Sequence, residues 1–175
     1  VVGNFVTTYI SDVFHGAKLQ GFADGRMEPE FVELVEKMEG IDKVLPVYVF
    51  ENTIKTDNII LSRLEGTDNL EWYSSMLALH YTDNRFLEQA AASFQRKERS
   101  VILSEGCLER TGFSIGDEII LSNGTEGSSY IIVGSFKSRA TDVDAVIPAY
   151  CAVSDFGATV YDFLAYTAAD PDAIM

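Results

Sequence analysis

The sequence predicts an α+β protein, on three observations. An amphipathic helix opens at Glu28-Pro29-Glu30 and ends at Gly40. Short β-branched runs recur along the rest of the chain, and Asn123-Gly124 sits between two of them, the strongest short-range signal for a hairpin. No apolar run exceeds strand size, the longest lying at residues 44–50 and 119–121.

In chain order, residues 5–10 read as a first strand. The stretch with Gly16, Gly21 and Gly25 follows as a loop or interrupted element. The helix after it carries Phe31, Leu34, Val35 and Met38 at i, i+3, i+4, i+7 spacing, with Glu30, Glu33 and Glu36 off that stripe. Residues 44–52 are strand-like, and Pro46 marks an edge or a bulge. Residues 58–64 form the next strand, closed by the turn-like Glu65-Gly66-Thr67-Asp68. Asp68 and Glu71 have capping-box spacing for a short helix carrying Leu70, Trp72, Tyr73 and Leu77. Residues 86–94 fit a short helix or a loop with one helical turn. Residues 100–103 are a brief apolar strand, after which Ser104 caps a helix over 105–111 that Gly112 stops. The hairpin joins 118–121 to 130–136, and residues 143–147 and 160–167 supply two more strands.

The charge excludes whole classes of function. Among 175 residues, 13 Lys and Arg stand against 27 Asp and Glu, a net charge of −14. Nucleic-acid binding needs concentrated basic residues, so DNA and RNA are disfavoured as partners, as is an anionic membrane face. No run approaches the roughly 20 apolar residues of a spanning helix. The length suits one domain or two small subdomains. Asp170-Pro171-Asp172 reads as a helix start with too few residues after it, as if the chain were cut from something longer.

Catalytic or metal-binding patterns are not found. Cys107 and Cys151 lie far apart, without metal spacing, and read as small buried residues whose pairing stays open. His15 and His80 have no ligand neighbours in sequence, and Asp142-Val143-Asp144 lacks the glycine and distal Glu of a calcium loop. Glu28, Glu30, Glu33, Glu36 and Glu39 make a solvated helix face. There is no Gly-x-Ser-x-Gly elbow, no Walker sequence and no Gly-x-Gly-x-x-Gly. No catalytic, cofactor or metal residue is therefore assigned, and the chain reads as a non-enzyme. The one candidate interaction surface comprises Phe22, Trp72, Tyr73, Phe86 and Phe94, aromatics in the less regular regions; core packing is the competing use of these rings.

Four residues have backbone roles. Gly112 suits a left-handed helix stop, Gly116 a tight turn, Asp117 a side-chain bond to that turn, and Gly134 a bulge or close backbone approach. They belong to a recognisable block: Val101-Ile102-Leu103-Ser104-Glu105-Gly106, then Gly112-Phe113-Ser114-Ile115-Gly116-Asp117-Glu118, the hairpin, and Ile132-Val133-Gly134-Ser135. This block resembles the extracytoplasmic domain of an FtsX-like ABC transporter permease, of the MacB core-domain type. Gly40-Ile41-Asp42-Lys43-Val44 with Pro46, and Arg63-Leu64-Glu65-Gly66-Thr67-Asp68, are similar to segments of the same family. Asn84-Arg85-Phe86 stands where the family has a Gly-Arg opening, without the Gly.

The resemblance implies a βαβ-containing porter-like lobe from residues 1–66 with 137–175, and a smaller mixed α/β central lobe from 67–136. It also implies a domain on the extracellular or periplasmic side of a membrane protein. That domain would relay ATP-driven helix motion to a substrate or partner, in export, lipoprotein release or cell-envelope signalling. The implied partners are other permease domains, a separate cytoplasmic ATPase subunit, and an extracellular protein, peptide or lipid. Two alternatives stay open: a ligand-sensing or substrate-binding domain for a peptide or lipid, and a hydrolase whose site is assembled from distant residues.

Overall fold

The computed structural model describes residues 7–15, 18–38, 41–125, 127–138, 142–159 and 161–168. In chain order the elements are β1 (Thr7–His15), β2 (Lys18–Met27), α1 (Pro29–Glu36), β3 (Ile41–Thr56), β4 (Ile59–Thr67), α2 (Leu70–Met76) and β5 (His80–Tyr81). There follow α3 (Asn84–Gln95), β6 (Ser100–Ser104), α4 (Glu105–Thr111), β7 (Glu118–Ser122), β8 (Gly127–Lys137), β9 (Ala145–Pro148), α5 (Ala149–Phe156) and β10 (Tyr161–Ala168). This mixture of helices with parallel and antiparallel strands is the expected α+β class.

The chain divides into two compact units, Val1–Tyr48 with Thr159–Met175, and Val49–Ala158. The sequence put the boundaries at 66 and 137 instead. Strand pairing explains the difference: β4 pairs with β9, and β9 with β6, so residues on both sides of those boundaries share one set of ladders.

In the first unit the strand order is β1-β2-β10-β3, antiparallel throughout. Of the glycine-bearing stretch expected as a loop or interrupted element, Gly16 lies outside the described residues and Gly21 and Gly25 lie in the inner strand β2, with Gly21 facing Ile10 on one side and Tyr166 on the other. Two ladders supply the backbone bonds that outweigh glycine's poor strand propensity. Helix α1 starts as expected, with Glu28 at the N-cap and Pro29 just inside. Its buried face is displaced from the expected stripe. Val32 and Val35 are buried, whereas Leu34 is 63% and Met38 48% exposed. An eight-residue helix with two adjacent apolar columns does not itself specify which column turns inward. It ends at Lys37; Gly40, the expected stop, lies outside the described residues, as does the helix start at Asp170.

In the second unit the pairings close on themselves. β3 neighbours β4, which runs parallel to β9; β9 pairs antiparallel with β6; β6 runs parallel to β8; and β8 pairs with β7. β7 returns to β3 through Lys55 and Ser122. Closure of such a ring removes free edges, and β5 adds to β8 outside it. Residues 101–103 of β6 and 145–147 of β9 are buried without alternation, as strands covered on both faces are. β7 alternates, with Ile119 and Leu121 buried and Glu118 and Ile120 exposed.

Other local expectations changed here. Glu65, Gly66 and Thr67 are strand rather than turn, buried opposite residues 146–148 of β9. Asn69, not Asp68, caps α2, its side chain accepting from the Trp72 N–H. Residues 86–94 lie inside a full helix, α3, capped by Asp83. Helix α5 was not expected at all. It follows Pro148, buries Ala149, Cys151, Ala152 and Asp155, and stops at left-handed Gly157. No helix of the described residues is long and apolar enough to cross a membrane.

Candidate functional site

The block that carries the resemblance folds around α4. Ser104 Oγ accepts from the Cys107 N–H at 3.1 Å and Gly112 ends the helix at φ 74°. Asp117 then accepts from the Ser114 N–H at 2.9 Å, closing the turn in which Gly116 has φ 96°. The Gly116 N–H donates to the Ile132 carbonyl at 2.7 Å, and the Ile132 N–H to the Asp117 carbonyl at 2.9 Å. Gly134 lies just past an irregularity in the β6–β8 ladder, where Val101 faces Ile132 and Ile102 faces Gly134. A methyl placed there would lie 2.8 Å from Phe86 Cβ. All four glycine and aspartate positions thus shape the backbone between α4 and β8.

The described members of the aromatic set do not assemble into an exposed surface. Tyr73 is 1% and Phe94 4% exposed, while Trp72 and Phe86 are half-buried. Phe86 is used against Gly134, and Tyr73 donates its hydroxyl to Glu65 Oε1 at 2.6 Å. The Phe22 side chain lies outside what is described. Helical packing on the ring of strands takes up rings that loops would have left outside.

Three buried carboxylates, each held by an arginine and a hydroxyl, tie the second unit together. Glu65 receives Arg63 Nε at 2.5 Å and the Tyr73 hydroxyl. Asp155 on α5 receives Arg99 at 2.7 and 2.9 Å and the Tyr130 hydroxyl at 2.6 Å. Burial, reinforced by the neighbouring carboxylate, pushes the Tyr73 and Tyr130 phenols up, and Arg99 holds Asp155 below the usual carboxylate range. Asp144 Oδ2 accepts from the Ser62 N–H at 2.8 Å and Ser62 Oγ at 2.7 Å, and pairs with Arg110 at 3.0 Å. Sequence reasoning missed all three. Their members are up to 82 residues apart, and no spacing rule joins them.

Asp144 stands at the wall of a cleft of about 1130 Å³. Its walls come from the carboxyl end of β6, the start of α4, the end of β8 and the approach to β9. The Ser104 N–H bonds the Asp144 carbonyl and the Asp144 N–H bonds the Arg63 carbonyl, both at 2.8 Å. Those two bonds hold the entry to β9 between β4 and β6. The cleft also brings His80, Ser62, Ser104 and Asp142 together, the residue types a hydrolase would need. Their bonding is structural, however. Ser62 Oγ donates to Asp144 and Ser104 Oγ caps α4, while His80 makes no hydrogen bond to either serine. A nucleophile needs its base within bonding reach.

Cys107 and Cys151 are both free and buried. Burial, then the nearby Asp144 or Asp155 respectively, pushes each thiol up to about 11, the opposite of an activated cysteine. Among the described residues no group of three His, Cys, Asp or Glu side chains is placed to hold a metal ion. His15 has no described side chain.

In fold the chain is similar to solved extracytoplasmic domains of transporters, two of which follow. The extracellular domain of the noncanonic ABC-type transporter YknZ from Gram-positive bacteria superposes with a TM-score of 0.64 at 18% identity, over 85% of this chain and 76% of that one. The periplasmic region of MacB from Actinobacillus actinomycetemcomitans gives 0.62 at 13% identity, over 96% and 76%. No protein-family profile and no curated protein sequence matches the chain.

Proposed function

We propose that this chain is the extracytoplasmic domain of an ABC transporter permease subunit, working on the extracellular or periplasmic side of a membrane. The observation that carries the reading is the shared fold over 85% and 96% of the chain, in two domains that both come from ABC transporters. The role is mechanical rather than enzymatic. A separate cytoplasmic ATPase subunit would move membrane helices, and this domain would pass the motion to a substrate or partner during export, lipoprotein release or envelope signalling.

The strand order supports such a relay. β1 and β10, the first and last described strands, both pair with β2 in the four-stranded sheet of the first unit. A displacement entering at either end acts on that one sheet. The first unit then corresponds to the porter-like lobe and the second to the inserted one.

The test is a crosslinking experiment in the full-length permease. Cysteine pairs would join the β1–β2 sheet to the nearest membrane helix, and their yield would be followed with and without ATP turnover by the ATPase subunit. The reading expects yields that change with turnover. Unchanged yields, under conditions where transport proceeds, would remove the relay role.

A further inference from the structure

We propose that Asn123 is a site of covalent self-modification: its side-chain amide is lost by cyclisation onto the Gly124 backbone nitrogen, leaving aspartate or isoaspartate in the β7–β8 hairpin. This inference rests on the hairpin alone. Its failure would leave the permease reading untouched.

The sequence supplies the reacting pair. Of the chain's six asparagines only Asn123 precedes a glycine; the others precede Phe5, Thr53, Ile59, Leu70 and Arg85. A side chain on the following residue hinders approach of the asparagine Cγ to the next backbone nitrogen, and Gly124 has none. The structure leaves the pair room to react. Residues 123–125 are exposed and lie beyond Ser122–Gly127, the last described pair of the β7–β8 ladder. A Cβ built at Gly124 would meet no described atom within 4 Å.

The hydrogen bonds of the turn activate the electrophile. Asn123 Oδ1 accepts from the Thr125 N–H at 3.1 Å and from Thr125 Oγ1 at 3.0 Å. An asparagine side chain bonded to the N–H two residues on lies across the intervening peptide, here the one whose nitrogen must attack. Attack on Cγ drives negative charge onto Oδ1, where both donors already point, as in an oxyanion hole. The Gly124 N–H donates to Ser122 Oγ at 3.1 Å, so a hydroxyl stands on the proton that must leave. The Gly124 nitrogen bonds Cγ as the Cγ–Nδ2 bond breaks, and Nδ2 departs with that proton as ammonia. The resulting cyclic imide takes up water. Opening at Cγ leaves aspartate in an unchanged main chain, whereas opening at the backbone carbonyl routes the chain through Cβ and Cγ as isoaspartate. Either product adds one negative charge to the net −14. Isoaspartate also lengthens the turn, next to the Ser122–Gly127 pair and the Ser122–Lys55 pairing that closes the ring.

Peptide mapping of this chain, aged at mildly alkaline pH, tests the assignment. Conversion is read from the mass gain of amide-to-acid exchange, and isoaspartate from labelling by an isoaspartate methyltransferase. Asn123 should convert ahead of the other five asparagines, and at least as fast in the native chain as in urea. Thr125→Val removes one donor from Oδ1 and keeps the other, and should slow native conversion about threefold to tenfold, the worth of one hydrogen bond. Gly124→Ala should slow the reaction about tenfold even in urea, where folding plays no part. Conversion slower in the native chain than in urea, or either variant ageing as fast as the original, would overturn the proposal, because the hairpin would then be shielding Asn123 instead of activating it.

Discussion

Phe86 on α3 and Gly134 on β8 are in contact so close that no side chain fits between them. A Cβ added at Gly134 would lie 2.8 Å from Phe86 Cβ and 3.3 Å from its Cγ, both near the rigid root of the ring. Gly134→Ala should therefore cost about 1–3 kcal/mol through overpacking, read as a lower urea midpoint. Phe86→Ala adds a cavity by itself but removes the clash. The double variant should be less destabilised than the sum of the two singles, and strict additivity would show that the contact is not the cause.

Asp155 makes acid sensitivity a second test. The hydrogen bond from Arg99 draws its pKa down, against the opposing effect of burial. A carboxylate whose folded pKa is depressed adds stability above its unfolded value, about 3.9, and loses it as pH falls through the folded one. Stability should thus decline below about pH 4, with Asp155 contributing to the slope. Asp155→Asn should cost about 1–3 kcal/mol at pH 7 and flatten the decline between pH 4 and pH 2. Denaturation curves at pH 7, 4 and 3 decide it, an unchanged acid limb being the adverse result.

The ends of α4 offer a paired local test. Ser104→Ala removes the cap on the Cys107 N–H, at about 0.5–2 kcal/mol. Gly112→Ala forces a side chain to φ 74°, at about 1–2 kcal/mol. Chemical denaturation should show both losses. A neutral Gly112→Ala would mean that the helix ends differently from the structure.

The cysteines should be silent in the native state. Cys107 and Cys151 are buried, with thiols held up to about 11, so little thiolate forms at pH 8 and little of it is reachable. Iodoacetamide should label neither cysteine natively and both in denaturant, as mass spectrometry can count. Rapid native labelling of one would place it at the surface.

Tyr73 and Glu65 test the buried network. Tyr73→Phe keeps the ring but leaves the buried Glu65 Oε1 without its donor. A loss of about 1–3 kcal/mol is expected, larger than an exposed tyrosine would give. A change within error would show that water replaces the hydroxyl.

Local features were legible along the chain. Ser104, Gly112, Gly116 and Asp117 act through bonds to residues a few positions away, so the α4 block and its turn were legible, and the Asn123-Gly124 hairpin likewise. Tertiary structure decided whatever depends on distant partners. It made a glycine-rich stretch the inner strand β2, because two ladders outweigh propensity. It chose Val32 and Val35 over Leu34 and Met38 on α1, and took Tyr73 and Phe94 into the core. It also brought Asp144 to Ser62 and Arg110, and so made the cleft. Backbone conformation is governed by neighbours along the chain, whereas burial and charge pairing are governed by neighbours in space. Only the fold supplies those.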